Sequence, residues 1–242
     1  MPSVALVTGG AVRVGRAITL GLVDAGYDVV VNYHSSEGPA RELAALAEAR
    51  GRAVVTVQGD VSDPEDVARI GDAIRNHLGR LDLLVNSASS FRATSLLDID
   101  SDEWDRVMEV NLKGPHLVVR ECADLLRAAR GAVVNIADHI GLEPWVRYAH
   151  HSVSKAALMH LTRIQAVALA PEVRVNAIAP GLVLAPESLS EEELASEIES
   201  TVLKAAGSPD DVVRTVLFLA SSPYVTGQLI VVDGGRSLGL GG

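Results

Sequence analysis

The sequence predicts a doubly wound α/β fold: one parallel sheet of about seven strands with helices on both faces. Three observations predict it. Short β-branched runs are apolar almost throughout, as strands covered on both faces must be. Longer amphipathic stretches separate these runs, and parallel pairing needs such crossovers. The first run ends in glycines and passes straight into a helical pattern.

Strands are expected, in order, at Val4–Thr8, Asp28–Asn32, Ala53–Val57, Leu81–Asn86, Ala132–Ile136, Arg174–Ile178 and Leu229–Val232. The stretches between them predict helices at Val14–Ala25, Pro39–Arg50, Pro64–Leu78, Asp102–Arg130, Ser152–Leu169 and Pro209–Ala220. Several helix starts are marked. Ser62-Asp63-Pro64-Glu65 and Ser208-Pro209-Asp210 place a capping side chain before a first-turn proline. Ser101-Asp102-Glu103 puts acid where the helix dipole favours it. The repeated βα units describe a single Rossmann-type domain over residues 1–242, with no Pro/Gly/Ser-rich linker and no internal repeat. One segment, about residues 182–206, breaks the alternation with the acidic run Ser190-Glu191-Glu192-Glu193-Leu194. It reads either as a solvated surface helix or as a helical lid over a cleft at the carboxyl ends of the strands.

Bulk properties exclude some partners. A formal charge of −10 opposes nucleic acid and anionic membrane surfaces. No apolar stretch is long enough to cross a bilayer. A single cysteine, Cys122, excludes a disulfide within the chain and fits a reducing compartment. Met1-Pro2-Ser3-Val4 enters a strand at once, so no signal peptide is read and a cytoplasmic protein is expected. The adjacent His150 and His151 lack companions at zinc-like spacing, so no metal is expected.

The turn Thr8-Gly9-Gly10-Ala11-Val12-Arg13-Val14-Gly15 joins a strand to a helix. Glycines there let the backbone approach a pyrophosphate, and the helix amino terminus stabilises the anion. Gly9, Arg13 and Val14 are therefore cofactor-binding candidates, Arg13 through its guanidinium. The second strand leads into His34-Ser35-Ser36, which are donors for a 2′-phosphate where an NAD site commonly has an acid. NADPH is thus the expected cofactor, against the reading of a plain polar loop.

These motifs, with others in the same order along the chain, resemble the short-chain dehydrogenase/reductase family from Thr8 to Asp233-Gly234-Gly235. Gly59-Asp60-Val61 is similar to the family's adenine-contacting aspartate segment. Asn86-Ser87-Ala88-Ser89 is similar to its Asn-Asn-Ala-Gly turn, with two departures. Asn111 resembles the asparagine of the central helix, and the stretch ending in Pro180-Gly181 resembles the segment beside the nicotinamide. The resemblance implies that Asp60, Val61, Asn86, Ala88, Pro180, Gly181 and Lys155 bind the cofactor and that Asn111 and Lys155 serve catalysis. It also implies a homotetramer built on the two long helices, the alternative being that these helices bury their faces within the monomer.

Three features narrow the resemblance toward pteridine and dihydromonapterin reductases: Arg13 within the glycine turn, Asn86-Ser87-Ala88-Ser89-Ser90-Phe91, and Asp138 thirteen residues before His151. That branch implies a pterin stacked on Phe91, edge contacts from Ser89 and Arg13, and a proton supplied by way of Asp138. The departure lies in Tyr148-Ala149-His150-His151-Ser152-Val153-Ser154-Lys155, where the family has Tyr-x-x-x-Lys and this chain has His151 four residues before Lys155. An imidazole nitrogen reaches roughly 2 Å less far than a phenol oxygen, against the ~3 Å that proton transfer demands. Lys155 would favour a neutral imidazole and Asp138 an imidazolium, so the sign of the shift is open at this stage. Tyr148, nearly two turns before Lys155, is a weaker surrogate donor. The principal expectation is reduction of dihydropterin or dihydrofolate to the tetrahydro form, with the proton carried by Asp138, and His151 assisting directly or through water. The alternatives are a general carbonyl or 3-oxoacyl reductase, and a non-catalytic NADP(H)-binding protein.

Overall fold

The computed structural model describes residues 2–185 and 189–239. Its seven strands are β1 (Val4–Thr8), β2 (Asp28–Tyr33), β3 (Val54–Gln58), β4 (Leu83–Asn86), β5 (Ala132–Ile136), β6 (Arg174–Pro180) and β7 (Leu229–Val232). They form one parallel sheet in the order β3-β2-β1-β4-β5-β6-β7. In register, Val7 lies between Val31 of β2 and Val85 of β4. Chain order reverses beside β1, so a crevice opens at the carboxyl ends of β1 and β4, where such folds bind ligands.

The helices are α1 (Arg13–Asp24), α2 (Glu37–Glu48), α3 (Pro64–His77), α4 (Ser101–Met108), α5 (Gly114–Ala129), α6 (Ala149–Leu169), α7 (Glu191–Glu199) and α8 (Pro209–Ser221). The two-residue period of each strand divides the core. Ala5 and Val7 of β1 pack with Ile18 and Leu22 of α1, Leu43 of α2 and Val216 of α8. Leu6 faces the other way, toward Ile70 and Ile74 of α3, Leu126 of α5 and Leu169 of α6. Each leucine buried this fully contributes about 1.5–3 kcal/mol relative to an exposed one. Asp63 caps α3 by accepting from the Glu65 amide at 2.8 Å, and Ser208 with Asp211 closes a capping box on α8.

Several boundaries differ from expectation. The single helix expected over Asp102–Arg130 is two helices joined by a wide π turn at Glu109–Lys113. Pro115 has no N–H to offer the Asn111 carbonyl, so a regular α turn cannot close there. Helix α6 starts three residues early, at Ala149, which puts His150 and His151 in its first turn. Helix α2 also starts early, at Glu37, because Pro39 is tolerated inside a first turn. Strand β4 begins at Leu83, since Asp82 turns its carboxylate to the Val4 amide at 2.8 Å and to Arg80. In the 182–206 segment the acidic run forms α7, capped by Ser190 and Glu193, and residues 186–188 lie outside the described residues. Among the described residues no helix is long and apolar enough to cross a membrane.

Candidate active site

The crevice at the end of β1 is bounded by glycines that keep its floor free of side chains. Gly9 has φ +60°, and a Cβ there would lie 2.8 Å from the Ala88 Cα. A Cβ on Gly15 would run into the Gly9 carbonyl oxygen. Neither position accepts a side chain, so the turn stays low and open. Helix α1 begins after Val12 with no side-chain cap, leaving its first amides directed at the crevice. Thr8 Oγ1 accepts from the amides of Ser87 and Ala88 at 3.0 and 3.1 Å, fixing the turn after β4 against the end of β1. Asn32, which sequence reasoning missed, accepts from the Gly10 amide through its carbonyl and donates from Nδ2 to the Gly59 carbonyl at 2.9 Å.

The cofactor candidates are distributed around this turn, with several side chains already engaged. Val14 is half-buried in the first turn of α1. Arg13 occupies a left-handed backbone (φ 51°), and its guanidinium donates to the Leu184 carbonyl at 3.1 Å. His34 and Ser35 are exposed and Ser36 is half-buried at the end of β2. Asp60 accepts from the Ser62 amide and hydroxyl at 2.9 and 2.7 Å and from Arg106 at 2.7 Å. Burial pushes the Asp60 carboxyl up, but these hydrogen bonds and the Arg106 charge carry it down to about 2. The Asn86 side chain turns away to Asn135 at 2.8 Å, and Val61 is buried among apolar neighbours. Gly181 presses on Asp233, where a Cβ would lie 2.7 Å from that residue's own Cβ.

The candidate catalytic groups meet at the carboxyl end of β5. Asp138 follows that strand, and α6 delivers His151 and Lys155 one turn apart. His151 Nε2 lies 3.4 Å from Asp138 Oδ2. Its Nδ1 lies 3.2 Å from Asn111 Nδ2 and 3.1 Å from the Ser90 carbonyl. Lys155 is buried and donates to the Ile136 carbonyl at 2.8 Å. Asn111 ties the cluster to the loop after β4. Its Oδ1 accepts from the Ser90 amide at 2.7 Å and from Ser89 Oγ at 3.2 Å, and its Nδ2 donates to the Ser90 carbonyl and to Ser154 Oγ.

Charge states follow from these surroundings. Burial opposes ionisation of Asp138, but hydrogen bonds from His139 and His151 outweigh it and hold the carboxyl well below the usual carboxylate range. Burial pushes His151 down, and the Lys155 charge adds to that against the hydrogen bond to Asp138. The question left open by the sequence is thus answered in favour of the neutral imidazole. Nε2 faces the Asp138 carboxylate, an acceptor, while Nδ1 faces both a donor, Asn111 Nδ2, and an acceptor, the Ser90 carbonyl. Burial lowers Lys155 to about 8, against the pull of Asp138.

Phe91 is half exposed and stands edge-on to His151 with centroids 4.8 Å apart. One face of its ring is stacked on Tyr148 at 4.7 Å, so a ligand has only the other face. His150 points away from the cluster, onto Glu103 at 3.1 Å. Sequence reasoning missed His139, whose Nδ1 lies 3.0 Å from Asp138 Oδ1 and 3.2 Å from the Pro180 carbonyl. The adjacency of an acid and a histidine was its only signal. Arg236 was missed as well. It lies over the Trp145 ring at 5.6 Å and reaches Glu143 and Glu197 at 3.9 and 3.7 Å, linking α7 to the loop before α6.

This geometry has relatives. A family model described as enoyl-(acyl carrier protein) reductase matches residues 10–237. The 3-oxoacyl-(acyl-carrier-protein) reductase FabG of Staphylococcus aureus is 34% identical over 241 residues, covering 97% of this chain and 98% of that protein. A ketoacyl reductase assigned to the granaticin polyketide synthase of Streptomyces violaceoruber is 36% identical, covering 97% and 96%. The crystal structure of a protein assigned as a short-chain alcohol dehydrogenase from Sinorhizobium meliloti superposes with a TM-score of 0.91 at 32% identity, covering 98% and 96%. The chain belongs to the short-chain dehydrogenase/reductase family.

Proposed function

We propose that the protein reduces a ketone to a secondary alcohol with NADPH, on substrates of the 3-oxoacyl or a related carbonyl class. The observation that carries this reading is the convergence of Asp138, His151, Asn111 and Lys155 at the carboxyl end of the sheet, beside a glycine turn that admits no side chain. That turn fits a pyrophosphate, and His34, Ser35 and Ser36 suit a 2′-phosphate better than a bare ribose hydroxyl. Bound there, the nicotinamide would supply a hydride. The chain's own groups would do the rest. Lys155 supplies a buried cation, and Asn111 holds His151 Nδ1.

Hydride addition to the carbonyl carbon sends the π electron pair onto oxygen, which must then take a proton. His151 Nε2 is the group proposed to give it, from the imidazolium form, which leaves the neutral ring with its hydrogen on Nδ1, donated to the Ser90 carbonyl. Asp138, kept ionised, holds that nitrogen in place and stabilises the imidazolium but cannot itself donate. Because His151 sits below its ordinary 6.5, reduction should quicken as the pH falls toward mildly acid values. The FabG and ketoacyl reductase relatives weigh for a carbonyl substrate over the pterin expected from Arg13, Phe91 and Asp138. The pterin reading keeps one observation, the open face of Phe91 beside His151. Exposed Ile164 and Val167 on α6 also fit the expected homotetramer.

The test is NADPH oxidation by purified protein with an acetoacetyl thioester, a simple cyclic ketone, an oxidised pterin and a dihydropterin in parallel. Turnover of the thioester or ketone, reduced at least tenfold in His151→Ala, supports the proposal. Turnover of the dihydropterin alone reinstates the pterin reading. Tight NADPH binding with no turnover on any of the four leaves a non-catalytic nucleotide binder.

A further inference from the structure

Resting on that reading, we propose that His139 is a positioning residue that governs how readily His151 gives up its proton, acting through the carboxylate the two histidines share. Asp138 has two oxygens and an imidazole on each. Oδ1 lies 3.0 Å from His139 Nδ1, and Oδ2 lies 3.4 Å from His151 Nε2. The Ile140 amide also donates to Oδ1 at 3.1 Å, so the carboxylate is held in a fixed plane.

The hydrogen on His139 is placed by its neighbours. Nδ1 faces the Asp138 carboxylate and the Pro180 carbonyl, which are both acceptors, so this nitrogen carries hydrogen in either charge state. Three carboxylates act on this imidazole: Asp138, Glu143 before α6, and Asp233 after β7. The nearby cation Arg236 is drawn toward Glu143 and the Trp145 face, and Trp145 meets the His139 ring edge-on at 5.8 Å. Burial pushes His139 down, yet the Asp138 hydrogen bond and these negative charges outweigh it and raise it. Around His151 the balance runs the other way. Asp138 is the carboxylate that faces it, while burial and the buried Lys155 disfavour its charge, and Asn111, the Ser90 carbonyl and the Phe91 edge stand around it.

The pair is thereby driven apart, one imidazole toward the charged form and its partner toward the neutral form. Such separation across a shared group is how acid and base roles divide in a site. A positive His139 neutralises part of the Asp138 charge seen by His151. The imidazolium of His151 is then less stabilised and releases its proton more readily to a developing alkoxide. Without that charge the full carboxylate would retain the proton on His151.

The experiment uses His139→Asn, whose amide nitrogen occupies the place of Nδ1 and donates to Asp138 without bringing charge. The His151 Cε1 proton is titrated by NMR in wild type and variant, and the pH dependence of kcat/KM for reduction is measured on both. The expected result is an upward move of the His151 midpoint by about half a pH unit or more, with the kinetic limb moving by the same amount. An unmoved midpoint in a folded variant overturns the proposal. Should the variant not fold, the wild-type His151 curve decides: a second inflection at the His139 midpoint supports coupling, and a single inflection refutes it. The NMR arm needs no turnover. A His151→Ala enzyme that reduces the carbonyl at the wild-type rate would therefore sink the catalytic reading and leave this coupling separately measured.

Discussion

Replacing Asn111 by alanine should loosen the site and recharge its histidine together. Asn111 is fully buried in the π turn. Its side chain accepts from the Ser90 amide at 2.7 Å and donates to the Ser90 carbonyl at 3.0 Å. Alanine leaves that amide without a partner, at about 1–3 kcal/mol, and also loses a carbonyl bond worth about 1 kcal/mol. A net loss of about 2–4 kcal/mol corresponds to a melting point lower by about 4–16 °C for a chain of this length. The second consequence concerns His151. With the Asn111 donor gone, Nδ1 faces only the Ser90 carbonyl at 3.1 Å, while Nε2 still faces Asp138. Both neighbours then accept, and only the doubly protonated ring satisfies both. The His151 midpoint should therefore rise. Circular dichroism melts at one fixed protein concentration and NMR titration of the histidine Cε1 protons measure the two effects. A melting point within about 2 °C of wild type, with His151 titrating as before, would refute the role assigned to Asn111.

His151→Tyr should raise NADPH-dependent ketone reduction by about tenfold or more, because a phenol reaches roughly 2 Å farther and would stand one turn from Lys155; an unchanged or lower rate would mean that the pocket around the side chain limits turnover. Gly15→Ala should weaken NADPH binding by about tenfold, equivalent to roughly 1.4 kcal/mol, since its methyl group collides with the Gly9 carbonyl. Fluorescence titration checks this, and wild-type affinity in the variant would contradict the tight turn. Asp60→Asn tests the acid side of stability. The folded carboxyl titrates at about 2 against an ordinary 3.8. Its contribution is complete above about pH 4 and disappears as the pH falls toward 2. The melting-point gap between wild type and variant should accordingly be widest near neutrality and close in strong acid; a gap independent of pH would show that Asp60 carries no such contribution.

The strands and the chemistry-bearing spacings were legible because they are local patterns. Short, nearly continuous apolar runs rich in β-branched residues read as strands of a covered sheet, and β1, β5 and the edge strand β7 begin and end where those runs do. The interval of four from His151 to Lys155 is one helical turn and stacks both on one face of α6. The break at Glu109–Lys113 was less legible. A proline inside a long amphipathic pattern signals a disturbance, but whether it kinks, ends or widens the helix depends on what packs against it. The aromatic pair was missed for a similar reason. Phe91 and Tyr148 are fifty-seven positions apart and meet because the Thr94 amide donates to the Arg147 carbonyl at 2.9 Å, pinning one loop to the other.

Read alone, the residues determined the α/β architecture, the glycine turn between β1 and α1 and the spacing of His151 and Lys155, since each is written in neighbours a few positions apart. Only the folded chain decided that Asp138 stays ionised, that His151 is neutral between Asn111 and that carboxylate, and that His139 shares it. Protonation depends on ångström distances and on the exclusion of water. Those quantities come into being only when β4, β5, the π turn and α6 close around one another.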